Sequence, residues 1–281
     1  MAIRRLIGSI LVLNGVAVQS FGFRRYLPIG DPAICAEFLN RWGIDEICLL
    51  DISPNRGKRG PDIEMIKSIA SKAFVPMSYG GGLQEISDVH RVFAVGVDKV
   101  VVTEASGDIL FLQNITEHYG RQAVVAGVDY HDRTATVCGD LPIDPVERAV
   151  FLSENGAGEL LLHNMKKDGS QSGYDIGLLA EVSRAVTVPV IAMGGIGHSA
   201  HAVKCLKDTS VAAIAAGNIL NHTEHSVAIL KEAIHRQGFR MRQDLPFNHD
   251  LSKIGQDDRL MKRDESWLDD LGFVHVEREK I

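Results

Sequence analysis

The chain has 281 residues, of which 45% are hydrophobic, and carries a formal net charge of −6. A mean hydropathy of +0.02 fits a water-soluble fold with a sizeable core, and the acidic balance argues against nucleic acid or an anionic membrane as partner. No apolar run approaches the roughly 20 residues of a membrane span, and Met1–Val18 lacks the features of a cleaved export signal, so a cytoplasmic protein is expected.

The first apolar run, Arg5–Leu11, reads as a buried strand, and the amphipathic stretch Pro32–Trp42 after it reads as a helix. Strand Glu46–Asp51, helix Pro61–Ala73, strand Val75–Tyr79, helix Ile86–Val95, strand Lys99–Thr103 and helix Ile109–Tyr119 follow. The second half continues with Ala123–Asp129, Pro145–Asn155, Glu159–His163, Ile176–Ala185, Val188–Met193, Ala200–Leu206, Val211–Ala216 and His225–Gln237, strand and helix in turn. Most of the strands are continuously apolar, as in a sheet buried on both faces. Eight alternations in roughly 240 residues predict an α/β fold, a closed (β/α)8 barrel. A doubly wound open sheet is the alternative. The barrel is expected over residues 1–246. The tail 247–281 mixes runs of both charge signs with an apolar patch at Trp267, Leu268 and Leu271, and reads as a solvated helix, a flexible end or a docking segment.

An internal repeat decides between the two architectures. Gly43–Asp51 lines up with Gly156–Asn164, an offset of 113 positions, and the same offset pairs Pro76 with Pro189 and Gly81-Gly82 with Gly194-Gly195. With a small slip in frame, Ala123–Asp129 corresponds to the first run, which ends at Leu11. Two duplicated four-strand halves close naturally into one barrel; they do not make an open sheet with a switch point.

The chemistry-bearing residues fall at strand ends. Gly81-Gly82 and Gly194-Gly195 follow the third and seventh strands, and Gly217-Asn218 the eighth. Glycine there lets backbone N–H groups approach an anion, so two phosphate sites on opposite rims are expected, against the plainer reading of tight turns. Asp129, at the end of the fifth strand, is a general acid–base candidate or else a structural hydrogen-bond acceptor. Asp51, Asp168 and Asp175 are weaker rim carboxylates, and His163 is a strand-end histidine beside Asn164. His198 and His201 read as an exposed helix start rather than a metal site. The dispersed Cys35, Cys48, Cys138 and Cys205 suggest neither a disulfide framework nor zinc, and no metal ion or cofactor is expected. At the opposite ends of the strands stand Arg5, Glu46, Lys99 and Glu159. If they point inward, two cations meet two anions in a polar gate; otherwise some of them form surface ion pairs.

Leu49-Leu50-Asp51-Ile52, Gly80-Gly81-Gly82, Gly96–Val100, Asp168-Gly169, Ser172–Asp175 and Ala192–Gly195 together resemble the HisF family, the cyclase subunit of imidazole glycerol phosphate synthase, over about Ile3 to Leu245. The resemblance implies a barrel that takes ammonia from a HisH-like glutaminase subunit docked at its bottom. The gate would be formed by Arg5, Glu46, Lys99 and Glu159, with Asp98 at the partner interface. It also implies a phosphorylated small-molecule substrate held at Gly81, Gly82, Thr103, Asp168, Gly169, Gly194, Gly195, Gly217 and Asn218. The family uses two aspartates as acid and base; here one is Asp129 and the other is Leu11. Asn14, Gln19, Thr103-Glu104 and Met193 depart from the pattern nearby. Divergent barrels of this kind accompany surface-polysaccharide pathways, so ammonia delivery, with a sugar amidotransferase as a further partner, is expected ahead of ordinary cyclisation. A genuine cyclase, a non-catalytic ammonia conduit and the related sugar-phosphate isomerase are the alternatives; Leu11 counts against the isomerase as much as against the cyclase.

Overall fold

The computed structural model describes residues 3–54, 56–103, 109–135, 143–222 and 225–242, with 254, 255 and 259. Glu104, Cys138 and nearly all of the tail 247–281 lie outside the described residues.

Eight parallel staves form the barrel among the described residues: β1 (Arg5–Leu13), then, beyond a hairpin, β4 (Glu46–Asp51), β5 (Met77–Gly80), β6 (Lys99–Val102), β7 (Val124–His131), β9 (Glu159–Asn164), β10 (Val190–Met193) and β11 (Ala213–Ala216). Pairing of β11 with β1, Arg5 opposite Ala213 through Gly8 opposite Ala216, closes the ring. The open-sheet alternative is thereby excluded. Helices α1 (Pro32–Arg41), α3 (Ile63–Ala70), α4 (Ile86–Ala94), α5 (Ile109–Tyr119), α6 (Pro145–Glu154), α7 (Ile176–Ala185), α8 (Ser199–Asp208) and α10 (Ser226–Arg236) lie between or after them, with one-turn helices at α2 (Arg56–Arg59) and α9 (Ile219–His222). No helix among the described residues is long and apolar enough to cross a membrane.

Local chemistry sets the helix starts. Asp31 and Asp144 accept backbone N–H bonds at the first turns of α1 and α6, each with proline as the next residue. The predicted helix over Pro61–Ala73 shrinks to α3 because Asp62 caps it at one end and Ser71 at the other.

Alternation along the staves makes two apolar layers. Leu6, Ile47, Leu49, Val100, Leu160, Ile214 and their neighbours pack against the helices. Ile7, Leu11, Cys48, Val101, Val125, Leu161, Ile191 and Met193 fill the barrel interior. Buried Lys231 on α10 joins Asp45 at 2.5 Å, and Asp45 also accepts the Leu6 N–H. This ties the last helix to the entry of β4.

The sequence reading missed one element. After β1 the chain turns through Asn14-Gly15, both at positive φ, into a hairpin of β2 (Val16–Phe21) and β3 (Arg25–Gly30) that pairs antiparallel with the upper part of β1. Asn-Gly flanked by strand residues is the strongest short hairpin signal, and Leu13-Asn14-Gly15-Val16 carries it. A minor strand, β8 (Thr134–Ala135), pairs with the end of β7.

Candidate functional site

At the N-terminal ends of the staves, Arg5, Glu46, Lys99 and Glu159 turn towards one another. Arg5 Nη1 donates to Glu46 Oε1 at 2.6 Å and to Glu159 Oε1 at 3.2 Å. Lys99 Nζ lies 3.1 Å from Glu159 Oε1 and 3.5 Å from Glu46 Oε2. Each carboxylate thus touches both cations; Arg5 and Glu46 stand on neighbouring staves, while the other three contacts join staves that are not neighbours. The side chains are 13–22% exposed. Burial pulls the Arg5 guanidinium down, but Glu159 and Glu46 outweigh it and its pKa ends up raised. A closed ring without like-charge neighbours is the arrangement in which partly buried charges persist. Asp98, one residue before Lys99, is exposed at the same end and accepts the Met77 N–H at 2.8 Å.

At the opposite end the mouth holds two clefts. One, of about 440 Å³, is lined by Asp51, Gly80, Gly81, Thr103, Asp129 and His163, with Phe23 from the β2–β3 turn, Tyr26 from β3 and Arg56 from α2. The other, of about 40 Å³, is lined by Leu11, Asp168, Gly169, Met193, Gly194, Gly195, Gly217 and Asn218. Gly81 and Gly194, equivalent in the repeat, line different clefts, and each cleft takes residues from both halves. Around the smaller one, Gln19 Nε2 donates to the Asn218 backbone oxygen and Asn218 Nδ2 to that of Ser20. Hairpin and eighth stave are clasped together there.

The glycines have a packing reason independent of any ligand. A Cβ on Gly81 would lie 2.5 Å from the Asp51 backbone oxygen, and one on Gly194 would lie 2.6 Å from that of Asn164. Asp51 and Asn164 are themselves repeat equivalents, so the same close approach of neighbouring staves occurs twice. Both glycines also hold φ near +100° or above.

The rim carboxylates have different fates. Asp51, rather than being an open rim group, is buried and committed to Arg59 at 2.7 Å and to the Ser53 N–H at 2.9 Å. Asp175 caps α7. Asp168 is half-buried with one carboxylate oxygen unpartnered; burial raises its pKa, partly offset by a bond from Ser20, the charge of His163 and the Gly22 N–H. Asp129 lies within β7, which runs on to His131, and faces His163 on β9 at 3.2 Å. His198 and His201, expected at an exposed helix start, are half-buried at the start of α8: His198 accepts the Ala200 N–H and His201 the Gly197 N–H. The described cysteines are free thiols, and burial pushes Cys48 up to about 11.

Leu11 is 6% exposed and belongs to the interior apolar cluster with Val18 and Met193. The first stave thus presents hydrocarbon where Asp129 presents a carboxylate. Sequence reasoning missed the contributions of Phe23, Tyr26 and Arg56, the first two because the hairpin was not recognised.

The family model described as "Histidine biosynthesis protein" matches residues 5–226. A Vibrio vulnificus (strain YJ016) chain named for imidazole glycerol phosphate synthase subunit hisF2 is 33% identical over 266 residues, 90% of this chain and 97% of that one. Imidazole glycerol phosphate synthase subunit HisF of Bacillus cereus (strain G9842) is 33% identical over 251 residues, covering 86% of this chain and 100% of the relative. That of Streptococcus sanguinis (strain SK36) is 34% identical, covering 85% and 98%.

Proposed function

The chain belongs to the histidine biosynthesis protein family, on its HisF branch, and from that premise we propose that it is the ammonia-receiving subunit of a glutamine-dependent complex. A separate glutaminase docks at the barrel bottom near Asp98, ammonia enters through the ring of Arg5, Glu46, Lys99 and Glu159, and it is used or relayed at the mouth. The observation that carries this reading is the closed four-charge ring. An apolar plug would close a barrel at lower desolvation cost, so two cations matched to two anions fit a polar passage better than a stopper.

The substrate is a phosphorylated small molecule. Its phosphate sits against Gly81, Gly82 and Thr103, with Arg56 adding a positive charge to that cleft. Gly169, Gly194, Gly195, Gly217 and Asn218, with Asp168, form a tighter second grip. Asp129 is the strand-end carboxylate that remains at the mouth. Leucine cannot move a proton, and a positioned acid or base contributes about 10²–10⁴-fold, so ordinary cyclisation is slowed by at least that factor. The physiological role is then ammonia supply in amino- or amidino-sugar synthesis for surface polysaccharide, with a sugar amidotransferase as a further partner.

Three measurements decide. Size exclusion with the glutaminase is expected to give a 1:1 complex. Imidazole glycerol phosphate formation by that complex should be near background, and rescue of a histidine auxotroph lacking its own cyclase subunit would sink the divergence claim. Leu11→Asp should raise cyclisation by about 10²-fold or more if the rest of the site is competent. No gain would favour a conduit whose own chemistry has been lost.

A further inference from the structure

His163 and Asp129 stand opposite each other in the register of β9 and β7, so adjacent staves each turn one polar side chain into the larger cleft. His163 Nδ1 lies 3.2 Å from Asp129 Oδ1. A carboxylate can only accept, so the proton of that bond belongs to Nδ1, and the neutral ring keeps its lone pair on Nε2. Nε2 is buried without a hydrogen-bond partner, on a side chain only 3% exposed. Buried polar atoms normally find a partner. His163 lines the cleft of about 440 Å³, so this unmet acceptor belongs to a side chain that a bound ligand would meet. The Phe23 ring packs edge-on against the imidazole at 5.2 Å between centroids and helps to keep water away. Asp168, beyond the end of β9, is also within electrostatic reach of the ring.

We propose that His163 is the proton-transferring residue of the mouth, with Nε2 as the reacting atom and Asp129 as the residue that positions it, acting on a phosphorylated carbonyl compound. The pair replaces the two-carboxylate arrangement that Leu11 breaks. Nε2 takes one proton from the nitrogen that adds to the substrate carbonyl. The resulting imidazolium is held by the Asp129 carboxylate and gives that proton to the carbonyl oxygen, leaving a carbinolamine. A second proton follows the same route from the carbinolamine nitrogen to the departing hydroxyl, so ammonia and carbonyl become imine and water, and both residues end as they began. The choice of ammonia as the adding group rests on the function proposed above; the assignment of Nε2 does not.

Ring-¹⁵N NMR of the full chain reads the tautomer directly. Nε2 of His163 should resonate as an unprotonated nitrogen, and Asp129→Leu should mix the tautomers. Ribose 5-phosphate, used as the probe, should shift the Nε2 signal, and His163→Gln should bind it within a few-fold of the parent. In the complex with glutaminase, His163→Gln should lower kcat by about 10²–10⁴-fold at nearly constant KM. A protonated Nε2, a signal unmoved by saturating probe, or full turnover in His163→Gln would each overturn the proposal. The NMR measurements need no partner. Failure of the parent protein to couple with the glutaminase would instead count against ammonia delivery and leave the tautomer result standing.

Discussion

Asp168 shows how a single side chain reports its surroundings. Burial raises its pKa above the ordinary carboxylate value, so the folded state disfavours the ionised form. The resulting cost is present in full above the raised folded-state pKa. It fades as pH falls through that value and is gone below the unfolded value of about 3.9. Asp168→Asn is therefore expected to raise Tm at neutral pH, by a margin that shrinks steadily towards acid. Thermal melts across that range check it, and a margin growing towards acid would contradict the sign. Chemical identity at this scale was partly legible in the sequence. Leu11 stood out because the repeat gave it an aspartate as counterpart. The bond between His163 and Asp129 was not legible, because it depends on the lateral register of β7 and β9, which no spacing along the chain encodes.

At the scale of elements, the duplication determines more than strand order. Gly81 and Gly194 each accept the close approach of the preceding stave's last carbonyl, at Asp51 and Asn164. The glycines would be required even if no phosphate ever bound. Gly81→Ala and Gly194→Ala are each expected to cost about 1–3 kcal/mol, the range for a side chain forced into a strained backbone conformation. Urea denaturation measures this, and unchanged midpoints would return the glycines to a purely ligand-driven role. Stave and helix positions were legible because a buried parallel sheet writes itself as apolar runs: β4, α5 and α7 begin and end where the pattern places them. The β2–β3 hairpin was hidden because β2 continues the apolar run of β1, although Asn14-Gly15 marks the turn between those two strands.

For the whole molecule, the decisive property is polarity along the barrel axis: a charge-matched ring at one end, a mouth bearing Asp129 and His163 at the other, and hydrocarbon between them. Lys99→Ala leaves Glu46 and Glu159 facing Arg5 alone. Breaking a fully buried pair costs about 3–5 kcal/mol, and these side chains keep some contact with water, so a smaller loss of roughly 1–3 kcal/mol is expected. In the complex, the same change should uncouple glutamine hydrolysis from nitrogen incorporation. Parallel assays of glutamate release and product formation check it; unchanged coupling would mean that the ring is only a structural clasp. The axial polarity was foreseeable from four residues at strand starts, whereas their mutual pairing across the barrel required the closed geometry.

The seam of the barrel also sets a timetable. The lower edge of β1, Arg5 to Gly8, finds its partner only in β11, about 200 residues later in the chain. The upper edge, Leu11 to Leu13, is covered at once by β2. At a synthesis rate of about 5–20 residues per second, the lower edge waits some 10–40 seconds on the ribosome for its neighbour, while the half that will become the mouth is protected almost from the moment it emerges.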